Sequence, residues 1–116
     1  MFGLKSSDGY HEILDGIKIK SINHGSSMIM TEFHLSKGAI LTEHSHTNEQ
    51  SGYLVQGKIR LYINGKSQEM KSGDSWNIPG GINHKAEILK NSIAIEVFSP
   101  LREDYLKYLN TENIRE

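Results

Sequence analysis

Short runs in which apolar and polar residues alternate dominate the chain, and a period of two is typical of half-buried β-strands. The alternation is clear over Ile17–Ile22 and Ile29–Leu35. Similar runs, bounded by turn residues, predict further strands at Gly52–Gln56, Lys58–Ile63, Ser67–Lys71, Asp74–Ile78, Asn83–Ile88 and Ser92–Ser99. Asn64 and Gly65 separate two of these runs and favour a two-residue hairpin turn. Many short strands with close turns predict an all-β, antiparallel fold that is closed or built of two sheets.

A helical pattern is found only near the end of the chain. After Pro100, an apolar stripe is formed by Tyr105, Leu106 and Leu109, which predicts one short C-terminal helix at about 102–110. We expect this helix to pack on the outside of a β-barrel whose core spans about residues 27–99. A chain of 116 residues is long enough for one core but not for two, so residues 1–116 are interpreted as a single domain.

Composition narrows the function classes. The formal net charge is −1, so no global field recruits nucleic acid or an anionic membrane surface. The chain has no cysteine, which excludes disulfides, thiolate ligands and a thiol nucleophile. No apolar run resembles a signal peptide or approaches the ~20 residues of a membrane span. We therefore expect a soluble cytoplasmic protein without nucleic-acid or membrane partners.

Histidines form the strongest chemical signal. His44 and His46 are two residues apart, a spacing that places both side chains on one face of a strand. Gln50 and His84 can close on that face as third and fourth ligands. Three imidazoles and one neutral amide oxygen suit a divalent first-row transition metal, with coordination positions left for a small molecule. Nickel, manganese, zinc and iron all remain candidates.

These positions fall in two spaced motifs, and with them the chain resembles the cupin superfamily. The first motif is matched by Gly38, His44, His46, Gln50 and Gly57, with Gln50 where the family usually has glutamate. The second is matched by Gly73, Pro79, Gly81 and His84, while Ile88 replaces the usual asparagine. The resemblance implies a double-stranded β-helix, that is, a jelly-roll barrel, with the metal ligands at His44, His46, Gln50 and His84.

A narrower resemblance is found in the segment Ile95–Tyr105. Together with Gln50, this segment is similar to the KdgF family, small cupins of pectin and alginate breakdown that open 4,5-unsaturated uronates into linear keto acids. The resemblance implies catalytic roles for Glu96, Phe98 and Arg102, with Glu96 in place of the family's aspartate. Many cupins end in a similar segment, so it indicates a family and not a substrate.

The residue types fit such a reaction. A neutral amide ligand leaves the metal its full charge, which favours Lewis-acid chemistry. A carboxylate such as Glu96 can move a proton, and Arg102 has the geometry to bind a substrate carboxylate. Two alternatives stay open: a binding or sensor cupin without turnover, and a metal-dependent dioxygenase, against which Gln50 argues mildly.

Several further positions have open interpretations. Trp76 is interpreted first as a core or interface residue, with cavity lining as the alternative. His34 would reach a substrate only if its strand face is interior. Gly52 alternates with Gln50 and could clear space near the metal. We expect a homodimer, because small folds of this kind have exposed sheet edges that a second copy can cover. The apolar surface for that contact would come from Tyr53, Val55 and the N-terminal strand.

Overall fold

The computed structural model describes all residues, 1–116, as ten strands and two short 3₁₀ helices. The strands are β1 (Phe2–Gly3), β2 (His11–Leu14), β3 (Ile17–His24), β4 (Ile29–Leu35), β5 (Ile40–His44), β6 (Glu49–Ile63), β7 (Lys66–Lys71), β8 (Ser75–Ile78), β9 (His84–Ser99) and β10 (Ile114–Arg115). The helices span Glu103–Tyr108 and Thr111–Asn113. The two-residue strands β1 and β10 pair with each other and bring the ends of the chain together.

Two long strands, β6 and β9, hold the jelly roll together. They pair antiparallel along their whole length, from Glu49 opposite Ser99 to Ile63 opposite His84. Their N- and C-terminal halves belong to different layers of a sandwich. The first layer has the order β2-β3-β4-β9-β6-β8, and the second has the order β5-β9-β6-β7. The all-β jelly-roll prediction is therefore confirmed.

The strands differ from the sequence prediction in two ways: β1, β2 and β10 were not predicted, and each of the two long strands was predicted as two. Gly57 and residues 89–91 were predicted as breaks, yet β6 and β9 continue through them. Register shifts between Leu54 and Ile59 take up the bend, so the strands pass from one layer to the other without ending. The predicted hairpin is present, with Asn64 and Gly65 at φ of +51° and +80° between the paired residues Ile63 and Lys66.

The C-terminal segment differs from its prediction in helix type and in position. Its longest helix is a six-residue 3₁₀ helix, in which Tyr105 N–H donates to the carbonyl of Arg102. No side chain caps its N-terminus, and so short a segment gains little from α-helical hydrogen bonding. Tyr105 and Leu106 pack against the core, and Ser21 Oγ donates to the carbonyl of Tyr105 at 2.7 Å. The segment thus covers one end of the sandwich, where Tyr105 lines the interior cavity.

The core lies between the two layers and is aliphatic. Its most deeply buried members are Ile17, Ile19, Ile29, Leu54, Ile59, Ile78 and Phe98. On β4, Ile29, Thr31 and Phe33 are buried, and the residues between them lie on the outer face. No helix has the length and apolar character needed to cross a membrane.

Candidate metal centre

Three histidines meet at one end of the sandwich. His44 ends β5 and lies opposite His84, the first residue of β9, while His46 follows in the loop between β5 and β6. The prediction that His44 and His46 lie on one face of a strand is therefore wrong, because β5 ends at His44. The ring of His84 lies 4.2 Å from that of His44 and 5.0 Å from that of His46, measured between centroids. One nitrogen of each ring lies within 4.8 Å of the others. This arrangement is suited to a divalent metal ion.

Backbone carbonyls orient all three rings in the same way. Nδ1 of His44, His46 and His84 donates to the carbonyl oxygens of Thr42, Asn48 and Ile82 at 2.8, 3.0 and 2.9 Å, respectively. A neutral imidazole carries one N–H, so Nε2 of each ring is left with a lone pair. Such outer hydrogen bonds fix the tautomer that a metal ligand needs.

Burial favours the neutral form of two of these rings, those of His46 and His84. His84 is 3% exposed, and its Nε2 is a buried atom with no hydrogen-bond partner. Burial lowers the pKa of His84, and burial together with the nearby charge of Arg102 lowers the pKa of His46. A buried nitrogen lone pair without a partner costs free energy, and a metal ion would satisfy it.

Gln50 adds an oxygen to the cluster. Its Oε1 lies 2.8 Å from Nε2 of His46, and its Nε2 donates to Oε1 of Glu96 at 2.7 Å. The bond to Glu96 sets the amide orientation, because a carboxylate accepts and does not donate. Because Nδ1 of His46 donates its proton to the Asn48 carbonyl, Nε2 of His46 carries a lone pair. This lone pair faces a lone pair on Oε1 of Gln50 across 2.8 Å. A cation that both atoms bind removes that repulsion, so the residues present fit a metal ion.

Glu96 lies beside this cluster on β9. Its Oε1 accepts from Gln50 and also from the indole N–H of Trp76, at 2.8 Å. Burial raises the pKa of the Glu96 carboxyl, although these hydrogen bonds and the charge of Arg102 act in the opposite direction. The carboxyl is therefore a stronger base than an exposed glutamate.

Arg102 and the aromatic residues around it form the other side of the cavity. The guanidinium carbon lies 3.9 Å from the ring centroid of Tyr105 and 5.2 Å from that of Phe98. Nε and Nη2 of Arg102 both donate to Asp104, each at 3.1 Å. Stacking and this bidentate pair hold the planar group in one orientation. Burial raises the pKa of Tyr105 to about 12, so its hydroxyl stays protonated at neutral pH.

These residues surround a small cavity of about 70 Å³. Its polar lining consists of His44, Gln50, Trp76, His84, Glu96, Arg102 and Tyr105, and core residues such as Ile59 and Ile88 line the rest. Typical ligand pockets measure about 300–1,000 Å³, so a monosaccharide-sized ligand must extend into the open mouth. The cavity offers metal ligands, one carboxylate and one guanidinium to such a ligand.

All seven residues predicted for the site lie in this one region, and sequence reasoning undervalued two more. Trp76 lines the cavity and contacts Glu96, although its first interpretation was packing. Tyr105 lines it too, although its helical stripe was expected outside the barrel. The contact between Trp76 and Glu96 follows from strand register, because Trp76 pairs with Gly52 and Gly52 pairs with Glu96. The sequence alone does not give that register.

Two interpretations that the sequence left open are resolved. His34 lies outside the cavity, because its strand face is the outer one, where its Nε2 contacts Glu32 at 2.7 Å. Gly52 clears space for Trp76 and not for the metal: a Cβ built on it would lie 2.2 Å from the indole.

Comparisons with known proteins identify the family of the chain. The Cupin domain family matches residues 31–98, more than half of the chain. The pectin degradation protein KdgF of Dickeya dadantii (strain 3937) is 32% identical over 99 residues, which are 84% of this chain and 90% of that protein. The structure of KdgF from Halomonas sp. matches with a TM-score of 0.85 at 28% identity, over 90% of this chain and 96% of that one. An RmlC-like cupin from Shewanella frigidimarina has the same TM-score at 27% identity, over 90% and 94% of the two chains. The chain therefore belongs to the cupin family and is similar to KdgF over most of its length.

Proposed function

We propose that this cupin is a metal-dependent enzyme of pectin degradation that opens the ring of 4,5-unsaturated uronates. Its similarity to pectin degradation proteins supports the substrate class. The observation that carries the proposal is the 2.7 Å hydrogen bond between Gln50, a proposed ligand, and Glu96. It places a carboxylate next to the metal centre, within the same cavity.

The metal would be held by the Nε2 atoms of His44, His46 and His84 and by Oε1 of Gln50. When bound, a divalent ion such as nickel, manganese, zinc or iron supplies a Lewis acid that polarises a substrate oxygen. The neutral amide of Gln50 leaves the charge of the ion undiminished, which a glutamate at this position would not.

Glu96 is the proposed proton carrier. Ring opening is an isomerisation in which the anomeric hydroxyl loses its proton and the bond between C1 and the ring oxygen breaks. C1 becomes an aldehyde, C4 gains a proton, and C5 becomes a ketone. Glu96 takes the proton from the anomeric oxygen and returns it to C4, so no oxidant, reductant or water is consumed.

Arg102 is the proposed substrate-binding residue, with Phe98 at its side. A substrate carboxylate would take the place of the Asp104 carboxylate on the guanidinium fork. Phe98 is 1% exposed and packs against the rings of His46 and Tyr105, so it keeps the wall of the cavity dry. The charged end of the substrate would then lie at the mouth and its reacting carbons near Glu96.

The proposal is tested by following the ultraviolet absorbance of a 4,5-unsaturated uronate monosaccharide with the metal-reconstituted protein. We expect the absorbance to decay faster than its spontaneous rate, and the acceleration to disappear in His84→Ala. An unaccelerated decay with each of nickel, manganese, zinc and iron would contradict the proposed reaction.

Placement of the proposed catalytic residues favours an enzyme over a binding or sensor cupin. A module that only binds its ligand has no need of a carboxylate next to the metal centre, yet Glu96 and Arg102 both line the cavity. No observation favours the dioxygenase alternative.

We also propose that two copies associate through the outer face of the first layer. Tyr53 and Val55 are 49% and 44% exposed there, and Ile95 lies opposite Tyr53 on the neighbouring strand. An apolar outer face of this kind is typical of a contact between subunits. A cytoplasmic location stays a prediction.

A further inference from the structure

Trp76 reaches the metal centre across a glycine. In the first layer, Trp76 of β8 lies opposite Gly52 of β6, and Gly52 lies opposite Glu96 of β9. The indole lies against the backbone of Gly52, and a Cβ there would be 2.2 Å from its Nε1. Only glycine at this position lets the ring cross the middle strand and reach Glu96.

The two N–H donors around Glu96 converge on the same oxygen. Oε1 accepts from Nε2 of Gln50 at 2.7 Å and from Nε1 of Trp76 at 2.8 Å. Oε2 has no hydrogen-bond partner within the protein. The carboxylate is therefore held by one oxygen, while the other is left for a ligand in the cavity.

We propose that Trp76 is a positioning residue that, with the space provided by Gly52, holds Glu96 in its reactive orientation. Its indole N–H fixes Oε1, so that Oε2 faces the substrate and Gln50 keeps its own oxygen toward the histidines. Trp76 acts through Glu96 and does not itself exchange a proton. This inference deepens the proposed function and rests on it for the catalytic consequence.

The first test is Trp76→Phe in the full-length protein, which keeps an aromatic ring and removes the N–H. We expect kcat to fall about 10- to 100-fold, because the variant loses a hydrogen bond to a charged group. We expect KM and Zn²⁺ affinity to stay within about three-fold of the parent, because Arg102 and the histidines are intact. Tyr62→Phe is the matched control, because it removes a 2.7 Å bond from another aromatic residue to Glu87 of β9, away from the cavity. It should leave kcat unchanged.

A double-mutant cycle distinguishes positioning from a merely structural role. If Trp76 acts through Glu96, adding Trp76→Phe to Glu96→Gln should cost no further activity. A loss of equal size in both backgrounds would overturn the proposal, and so would an unchanged kcat in the single variant. A parallel fall in Zn²⁺ affinity and melting temperature would assign Trp76 a structural role, and would also overturn it.

Fluorescence tests the positioning contact even if no uronate is turned over. Trp76 is the only tryptophan of the chain, so the emission of the protein reports on this indole alone. We expect Glu96→Gln and Gly52→Ala each to shift the emission maximum. Gly25→Ala, where a Cβ meets nothing within 4 Å, should not shift it. Emission that is the same in all four proteins would overturn the inference, whereas the expected shifts without turnover would contradict only the proposed reaction.

Discussion

At the scale of single residues, the histidine tautomers set the chemistry of the site. Backbone carbonyls accept the Nδ1 protons of His44, His46 and His84, so the Nε2 lone pairs converge without any side chain directing them. The carbonyl of Ile82 lies only two residues before His84. The local backbone therefore prepares each ligand, and the fold needs only to bring the three together.

A ligand substitution should separate these histidines from the others. We expect His84→Ala to lower Zn²⁺ affinity by more than about 100-fold, because even the loss of an outer partner costs 10- to 100-fold. Isothermal titration calorimetry measures the change. His24→Ala is the control, since Nδ1 of His24 hydrogen-bonds to the neighbouring Gly25 carbonyl and the ring lies outside the histidine cluster. Equal Zn²⁺ affinity in parent and His84→Ala would argue against a metal centre at these residues.

At the scale of elements, β6 passes from one layer to the other at a glycine. Gly57 has a φ of +107°, and a Cβ there would lie 2.1 Å from Oγ of Ser92 on β9. The bend thus depends on a backbone conformation that other residues rarely adopt and on close contact between the two long strands.

Substitution at this bend should cost more than the same change in a turn. We expect Gly57→Ala to lower the free energy of unfolding by about 2–3 kcal/mol, because steric overlap adds to the cost of a positive φ. Gly65→Ala is the matched control: φ is +80° there, but a Cβ meets nothing within 4 Å. About 1 kcal/mol is expected for it, and denaturant unfolding measures both. Similar losses would mean that the contact with Ser92 is easily relieved.

The segment before β2 is attached to the outer face by two charged residues. Lys20, 5% exposed, donates to the carbonyls of Ser6 and Asp8 at 2.8 and 2.9 Å. Glu32 accepts from the Tyr10 hydroxyl and contacts His34. Burial alone would raise the pKa of Glu32, but the hydrogen bonds from Tyr10 and His34 lower it below its ordinary value.

This lowered pKa predicts a pH-dependent contribution to stability. The folded pKa of Glu32 lies below the unfolded value of 4.5, so its contribution is present above pH 4.5 and is lost as the pH falls through the folded value. We expect Glu32→Gln to lower the free energy of unfolding by about 1 kcal/mol at pH 7 and by less at pH 3. Glu12→Gln, on an exposed residue, is the control. Denaturant unfolding at pH 7 and pH 3 measures the free-energy difference between the parent and Glu32→Gln. If that difference is the same at both pH values, the prediction is contradicted.

At the scale of the whole molecule, the two layers enclose the core and leave an apolar face outside. Association through Tyr53 and Val55 would cover that face. We expect Val55→Glu to shift the protein toward the monomer, because a carboxylate buried in an apolar contact is costly. Light scattering after gel filtration gives the mass. Met28→Glu, also at an exposed apolar residue, is the control, and a parent protein that is already monomeric would contradict the dimer.

The sequence by itself determined the all-β class, the hairpin at Asn64 and Gly65, and the histidines of the metal centre. Alternation and turn chemistry act within a few residues, and the histidines were identified by resemblance to two spaced motifs. It also brought Glu96 and Phe98 to one face, since residues two apart in a strand share a side.

Only the tertiary structure decided which strand faces are interior and which side chains contact one another across neighbouring strands. The alternation along β4 left open which of its two faces is interior. Packing buries Ile29, Thr31 and Phe33, so His34 lies on the outer face. The contact of Trp76 with Glu96 required the register of three strands that are distant in sequence. Tyr105 entered the cavity because its short helix covers the end of the sandwich. Long-range pairing is fixed by the packing of the whole core, and for that reason no local pattern in the chain could predict these contacts.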